Sequence, residues 1–190
     1  MTIHVFDVRT DLSNLVVQPQ IRSRFRRVEL GPVPDVHSHD LGGETFLVME
    51  GRIEFTVAGE SVVCEPGQVI YVPPRTTHAV RAVGDAPGVI YLSVSPHVEP
   101  THTFYDAQGQ RSQPRYGVWR EAGGGDPDSD PPDVLLERYR AAAAQLAALA
   151  SANTASDATA RDDIWATLRP LLEQIEVLEH AWNALAVHPS

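Results

Sequence analysis

The sequence contains no lysine, only one cysteine and no long apolar run. The single cysteine, Cys64, excludes an intramolecular disulfide and a cysteine-rich zinc site, and we interpret it as a small apolar side chain in a strand. No apolar run approaches the roughly 18 residues that a membrane helix requires, and the first ten residues lack the apolar core of a secretory signal. We therefore expect a cytoplasmic protein that does not associate with membranes.

Positive charge is scarce throughout the chain. The 15 basic residues, all arginines, face 25 acidic ones, which gives a formal net charge of -10. Nucleic acids are bound through clustered positive charge, so we expect no nucleic-acid partner. The acidity is uneven: residues 1–120 hold 13 acidic residues and 11 arginines, whereas residues 121–190 hold 12 and 4. The chain therefore has two compositional parts.

The boundary between the two parts is the stretch EAGGGDPDSDPPD, residues 121–133, whose glycine, proline and aspartate content is typical of a solvated linker. In residues 1–120, short β-branched and aromatic runs such as HAVRAV and GVIYLSVS are separated by Gly and Pro, which predicts an antiparallel sandwich or barrel. In residues 134–190, two apolar stripes that begin at Leu135 and Ile164 step by three and four positions. We therefore predict a mainly β domain followed by a C-terminal α-helical hairpin.

The two helical stripes also bear on assembly. A hairpin of two helices cannot by itself bury both stripes away from solvent, so the stripes require a further partner surface. They could cap the β-domain of their own subunit or form a four-helix bundle with a second copy. We predict a homodimer.

The stretch VHSHDLGGE places three potential metal ligands close together. Side chains alternate in a strand, so His37 and His39 point the same way, roughly 6.6 Å apart along it. If the glycines at 42–43 form a hairpin turn, with a loop of either two or four residues, Glu44 shares the face of both histidines. A fourth ligand can come from a neighbouring strand, and His78, at the start of HAVRAV, is the candidate.

Two sequence motifs resemble those of the cupins, G-x5-H-x-H-x4-E-x6-G and G-x5-P-x-G-x2-H-x3-N. The matching positions are Gly31, His37, His39, Glu44 and Gly51 in the first motif and Gly67, Pro73 and His78 in the second. Arg75 stands where glycine is usual, and Ala82 where asparagine is usual. The resemblance covers roughly residues 25–98 and implies a cupin-type double-stranded β-helix, a jelly-roll barrel.

The resemblance also implies a metal-dependent function. In cupins the three motif histidines and the glutamate bind one divalent metal, a role that it assigns to His37, His39, Glu44 and His78. Imidazole with one carboxylate suits iron, zinc, manganese or nickel. Cupins with these motifs include dioxygenases, isomerases, lyases and decarboxylases. We predict an enzyme of dioxygenase type acting on a small organic molecule, with a metal-dependent isomerase or lyase, or a non-catalytic ligand-binding module, as alternatives.

The sequence also contains an arginine cluster and two histidines outside the two motifs. In IRSRFRR, the cluster from Arg22 to Arg27, residues 22, 24 and 26 share a strand face. A solvated strand or a contact with the acidic helices is favoured for it, with docking of a substrate carboxylate or phosphate as the alternative. His97 and His102 fit neither a helix face nor a strand face, and we do not expect either to bind the metal directly.

Overall fold

The computed structural model describes residues 3–32, 35–106, 108–112, 130–152 and 161–186. Within these residues the secondary structure comprises ten strands and two helices. In chain order they are β1 (Asn14–Gln18), β2 (Ile21–Val28), β3 (His37–Ser38), β4 (Gly43–Glu50), β5 (Arg52–Val57), β6 (Glu60–Cys64), β7 (Val69–Val72), β8 (His78–Val83), β9 (Gly88–Ser95), β10 (Thr103–Phe104), α1 (Pro132–Ala152) and α2 (Arg161–Ala186).

The strands form two antiparallel five-stranded sheets. One sheet has the order β1-β2-β9-β4-β7 and the other β10-β3-β8-β5-β6. Because consecutive strands often belong to different sheets, the chain repeatedly crosses between the two layers. The predicted β-rich jelly roll with a C-terminal helical region is confirmed.

The apolar core lies between the two sheets. Strict alternation on β4 turns Phe46 and Val48 inward, and the same alternation on β5 turns Ile53 and Phe55 inward; all four are buried. The Phe46 and Phe55 rings are 5.1 Å apart, so they join the sheets directly. Cys64 ends β6 as a buried member of this core, as the sequence predicts.

The hairpin predicted around the glycines at 42–43 is wrong. Strand β3 pairs with β8 and β10 in one sheet, whereas β4 pairs with β7 and β9 in the other, so the glycines lie where the chain changes sheets. They permit close approach of neighbouring groups: a Cβ on Gly42 would lie 2.5 Å from the Pro96 carbonyl oxygen, and one on Gly43 would lie 2.4 Å from the Tyr71 hydroxyl. A larger side chain at position 42 would push the backbone at Pro96 away, whereas one at position 43 would displace the exposed Tyr71 side chain.

The chain divides into two compact units, Met1–Gly125 and Asp126–Ser190. Most of the linker predicted at 121–133 lies outside the described residues, and its last two residues belong to α1, which begins at Pro132. Within the second unit, Leu135 and Ala142 are buried and the Tyr139 and Trp182 rings are 5.9 Å apart. Neither described helix is apolar enough over a sufficient length to span a membrane.

Candidate metal centre

Two of the predicted ligands lie side by side in one sheet. His37 on β3 is the direct antiparallel partner of His78 on β8, and their ring centroids are 4.3 Å apart. His39 follows immediately after β3, and its ring centroid is 5.4 Å from each of the other two. Ser38, between the two histidines, is fully buried and hydrogen-bonded to Tyr105. The alternation predicted for this stretch therefore turns both histidines to the same side.

The fourth predicted residue comes from the opposite sheet. Glu44, near the start of β4, points inward and is 3% exposed. Its Oε2 atom lies 2.8 Å from Nε2 of His39 and 2.9 Å from Nε2 of His78. One ligand atom from each of His37, His39, Glu44 and His78 lies within 4.8 Å of the other three. The structure thus brings all four predicted residues together, and this group can hold a metal ion as in cupins.

Backbone carbonyls fix the orientation of the three imidazoles. Nδ1 of His78 lies 3.1 Å from the Thr76 carbonyl oxygen, and Nδ1 of His37 lies 3.3 Å from that of Asp35. Nδ1 of His39 is hydrogen-bonded to the Thr101 carbonyl oxygen. A carbonyl only accepts hydrogen bonds, so each Nδ1 carries the hydrogen and donates it. Each Nε2 is then left to face the centre of the site, the arrangement usual for metal-binding histidines.

This orientation tests whether the donor set fits a cation. With the hydrogen on Nδ1, the neutral rings of His39 and His78 direct their Nε2 lone pairs at a carboxylate oxygen of Glu44. That contact is repulsive unless both rings become imidazolium or a cation lies among the three atoms. The site is almost completely buried, which makes two extra charged rings costly. A single metal ion satisfies all the lone pairs together, so the residues fit a metal.

The local electrostatics keep key donors in their metal-binding form. Burial, reinforced by the nearby His78 and His39, lowers the pKa of His37 to about 3, so its ring is neutral near pH 7. Burial opposes ionisation of Glu44, but hydrogen bonds and positive charge from His39 and His78, when these rings are protonated, outweigh burial and hold the pKa well below its usual value. Metal ligands must be deprotonated, and both side chains meet that condition.

The turn before β8 departs from the cupin pattern in sequence but not in backbone shape. Arg75 has φ of +63°, in the left-handed region that glycine adopts most readily. Its backbone N–H donates to the His39 carbonyl oxygen over 2.6 Å. The turn that leads to His78 therefore also anchors the segment that carries His39, although arginine replaces the usual glycine.

A cavity of about 370 Å³ adjoins the four residues, and His37 and Glu44 are part of its wall. Apolar side chains, including Phe46, Val80 and Leu92, line another part. Phe46 also contacts the site, with its ring 5.9 Å from that of His78. The apolar residues that alternation along the strands turns inward thus line a cavity in addition to filling the core.

The interpretation of the arginine cluster as a solvated strand is wrong for its inward face. Arg22, Arg24 and Arg26 all line the cavity, and Arg22 is only 1% exposed. By contrast, Arg27 on the other face is exposed and pairs with Glu29. The alternation that puts three arginines on one face was visible in the sequence, but the side of the sheet that they occupy was not.

A fourth histidine lies beside the predicted ligands. The His102 ring centroid is 4.9 Å from that of His37 and 4.8 Å from that of His39, and the ring stacks on Phe104. Burial, reinforced by the nearby His39, His37 and Arg22, lowers its pKa to about 2, so the ring is neutral. His102 lines the cavity without belonging to the close group of four ligand atoms. His97 instead lies 3.4 Å from Glu99, both of them buried.

Comparison with known proteins agrees with this architecture. The family model for the cupin domain matches residues 25–95. An uncharacterized protein of Methanocaldococcus jannaschii is 32% identical over 60 residues, 32% of this chain and 48% of the relative. The match thus spans about half the length of that curated relative.

A solved structure resembles the fold more extensively. An uncharacterized conserved protein with a double-stranded β-helix domain from Klebsiella pneumoniae superposes with a TM-score of 0.51 at 16% identity. The match covers 55% of this chain and 99% of that protein. At this identity the likeness establishes the fold alone. With two five-stranded sheets and a family model that matches residues 25–95, the N-terminal unit of this chain contains a cupin domain.

Proposed function

We propose that this protein is a metal-dependent enzyme of dioxygenase type that acts on a small organic molecule. The observation that carries the proposal is the position of the ligand cluster in the wall of a cavity. His37 and Glu44 belong both to the four-residue cluster and to the lining of the 370 Å³ space. A metal held there would be next to a ligand-sized cavity, and metal sites that keep a position open are typically catalytic.

The protein supplies the environment, and the metal supplies the reactivity. A divalent iron, zinc, manganese or nickel ion bound by these residues provides a Lewis acid, and iron in addition provides redox chemistry with dioxygen. The carbonyl contacts hold the histidines in one tautomer, so the donors are oriented before any ion binds. Phe46, Val80 and Leu92 offer an apolar surface that excludes water from the carbon skeleton of a substrate.

The proposal is tested by elemental analysis of protein purified without added metal, followed by an oxygen-uptake screen with the metal that is found. We expect about one iron per chain and oxygen consumption with a catechol, keto-acid or thiol substrate. The His78→Ala variant, purified in parallel, should contain no metal and consume no oxygen. Zinc or nickel without oxygen uptake would overturn the dioxygenase assignment in favour of an isomerase, a lyase or a binding role. Absence of any bound metal would overturn the metal centre itself.

We also propose that the protein is a homodimer in which the helices contribute to assembly. Helix α2 exposes large apolar side chains, among them Trp165 at 55% and Leu172 at 52%. Burying a large apolar side chain is worth about 1.5–3 kcal/mol, so a second copy would gain stability by covering this surface. Light scattering should give twice the chain mass for the full protein. Deleting residues 125–190 should change the assembly but preserve metal binding, and a soluble, folded truncation without metal would contradict this.

A further inference from the structure

The cavity wall opposite the histidines holds an unusual row of arginines. Residues directly opposite one another on paired strands point to the same face of a sheet. Arg22 lies in one row with Val94 and, one strand further, Glu44. The inward direction of Glu44 therefore applies to Arg22 as well.

The next two rows repeat this arrangement. Arg24 shares a row with Leu92 and Phe46, and Arg26 shares a row with Ile90 and Val48. The four apolar partners in these rows are all buried in the core. The arginines thus occupy positions where a barrel that only needed stability would place apolar side chains.

The cost of burying Arg22, and of partly burying Arg24 and Arg26, indicates a purpose beyond packing. Removing a guanidinium from water is unfavourable unless a negative charge compensates for it. Glu44 and Glu99 interact electrostatically with Arg22 and offset part of this cost. However, His39 and His78 already lie within 2.9 Å of Glu44, and a metal ion held by these residues would balance its charge, so that charge does not require three arginines.

The charges that line the cavity are predominantly positive. Three arginines, at positions 22, 24 and 26, face two carboxylates, Asp35 and Glu44, and a divalent ion would add to the positive side. Burial lowers the pKa of Arg22 to about 10, which leaves it charged at neutral pH. A positive, low-dielectric cavity attracts anions and strengthens their hydrogen bonds.

We propose that Arg22 and Arg24 bind the carboxylate of a small organic acid, whose remaining part extends over the apolar wall toward the His–Glu cluster. This inference rests on the proposed function and specifies its substrate class. The planar guanidinium pairs with a carboxylate through two parallel hydrogen bonds. Phe46, Leu92 and Val80 suit the carbon skeleton, and about 370 Å³ is at the small end of ligand cavities, which favours a compact acid.

The test is isothermal titration of the metal-loaded protein with two acids and their neutral isosteres. The pairs are benzoate with benzamide and malonate with malonamide. We expect at least one acid to bind at least tenfold more tightly than its amide. The variant Arg24→Gln should weaken that acid at least tenfold, because it removes the charge and the guanidinium fork. Arg24→Lys should recover only part of the loss, since an ammonium keeps the charge without the fork.

Arg27→Gln is the matched control on the same strand. It removes the same charge from the outward face, where Arg27 pairs with Glu29, and should change acid affinity less than twofold. Arg24 is chosen over Arg22 because it is only partly buried, so its variant should fold. Melting temperature and metal content are recorded for every variant. A loss of acid binding is then interpreted only for variants that are folded and contain metal.

The outcomes separate this inference from the proposed function. The arginine site is wrong if neither acid binds more tightly than its amide, or if the Arg24→Gln variant binds the acid as tightly as wild type does. Neither result would contradict the metal centre. If phenyl phosphate binds more tightly than benzoate and its binding depends on Arg24 in the same way, the ligand of this site is a phosphate ester and not a carboxylate. Acid binding that depends on Arg24 in a protein that takes up no metal would support the arginine site and overturn the proposed metal enzyme.

Discussion

Replacing His78 by alanine should abolish stoichiometric metal binding, with an affinity loss of more than about 100-fold. Changing a residue that only supports a ligand already costs about 10–100-fold, and His78 offers a donor atom directly. Its Nε2 lies 2.9 Å from Glu44 Oε2, and its Nδ1 is held by the Thr76 carbonyl, so no other orientation of the ring serves the site as well. Metal content after purification and affinity measured with a competing chelator check this expectation.

The control for this prediction is His102→Ala. His102 is a cavity-lining histidine within 4.9 Å of the His37 ring, yet it lies outside the group whose donor atoms converge. Its removal should leave metal stoichiometry unchanged. Glu44→Gln should keep the fold and weaken the site, because it removes the only negative charge among the four donors. Unchanged metal content in both His37→Ala and His78→Ala would show that these residues are not the ligands.

The longer strands were predictable because periodicity and turn residues agreed. HAVRAV and GVIYLSVS coincide with β8, His78–Val83, and β9, Gly88–Ser95. Pro87 and Pro96 flank β9 directly, and β8 lies between the turn at the prolines of 73–74 and Gly84, so neighbouring turn residues defined the ends of both strands. Strand β3 contains only two residues and is too short to show any period, although it carries His37.

The candidate site was predictable from local spacing, whereas the path of the chain through it was not. Alternation alone orients His37 and His39 alike, whatever their strand pairs with. The partner strand of Glu44 depends on long-range pairing, and the two glycines before it were compatible with a hairpin. Close contacts with Pro96 and Tyr71, which are distant in sequence, explain those glycines better than a turn does.

The arginine wall shows a different limit of sequence reasoning. Parity places Arg22, Arg24 and Arg26 on one face, but it cannot say which face meets the core. The usual exposure of charged residues favours solvent, and here that general tendency gave the wrong answer. The pairing of β2 with β9, and of β9 with β4, places the arginines in the same rows as Glu44 and Phe46 and so shows that they point inward. That pairing joins strands that are far apart in the chain.

Chelating the metal should lower the melting temperature of the wild-type protein by about 8–16 °C. Without a cation, the His39 and His78 nitrogens and a Glu44 oxygen repel one another inside a buried site, and only the folded state gathers them. Metal binding therefore contributes directly to folding, with about 4 kcal/mol expected when free metal is 1,000 times its Kd. For a chain of 190 residues, each kcal/mol corresponds to about 2–4 °C.

Calorimetry with and without a strong chelator measures this shift, and His78→Ala provides its control. The variant lacks a donor, so the chelator should change its melting temperature by no more than about 1–2 °C. A general effect of the chelator on the protein would instead lower the melting temperatures of wild type and variant equally. Adding back iron or zinc should restore the melting temperature of the wild type but not that of the variant. Calcium and magnesium should not restore it, because they prefer oxygen ligands and three of the four donors are imidazoles. An equal shift in wild type and variant would mean that the four residues do not couple metal binding to folding. Full restoration by calcium would mean that the stabilising ion binds elsewhere, at oxygen donors.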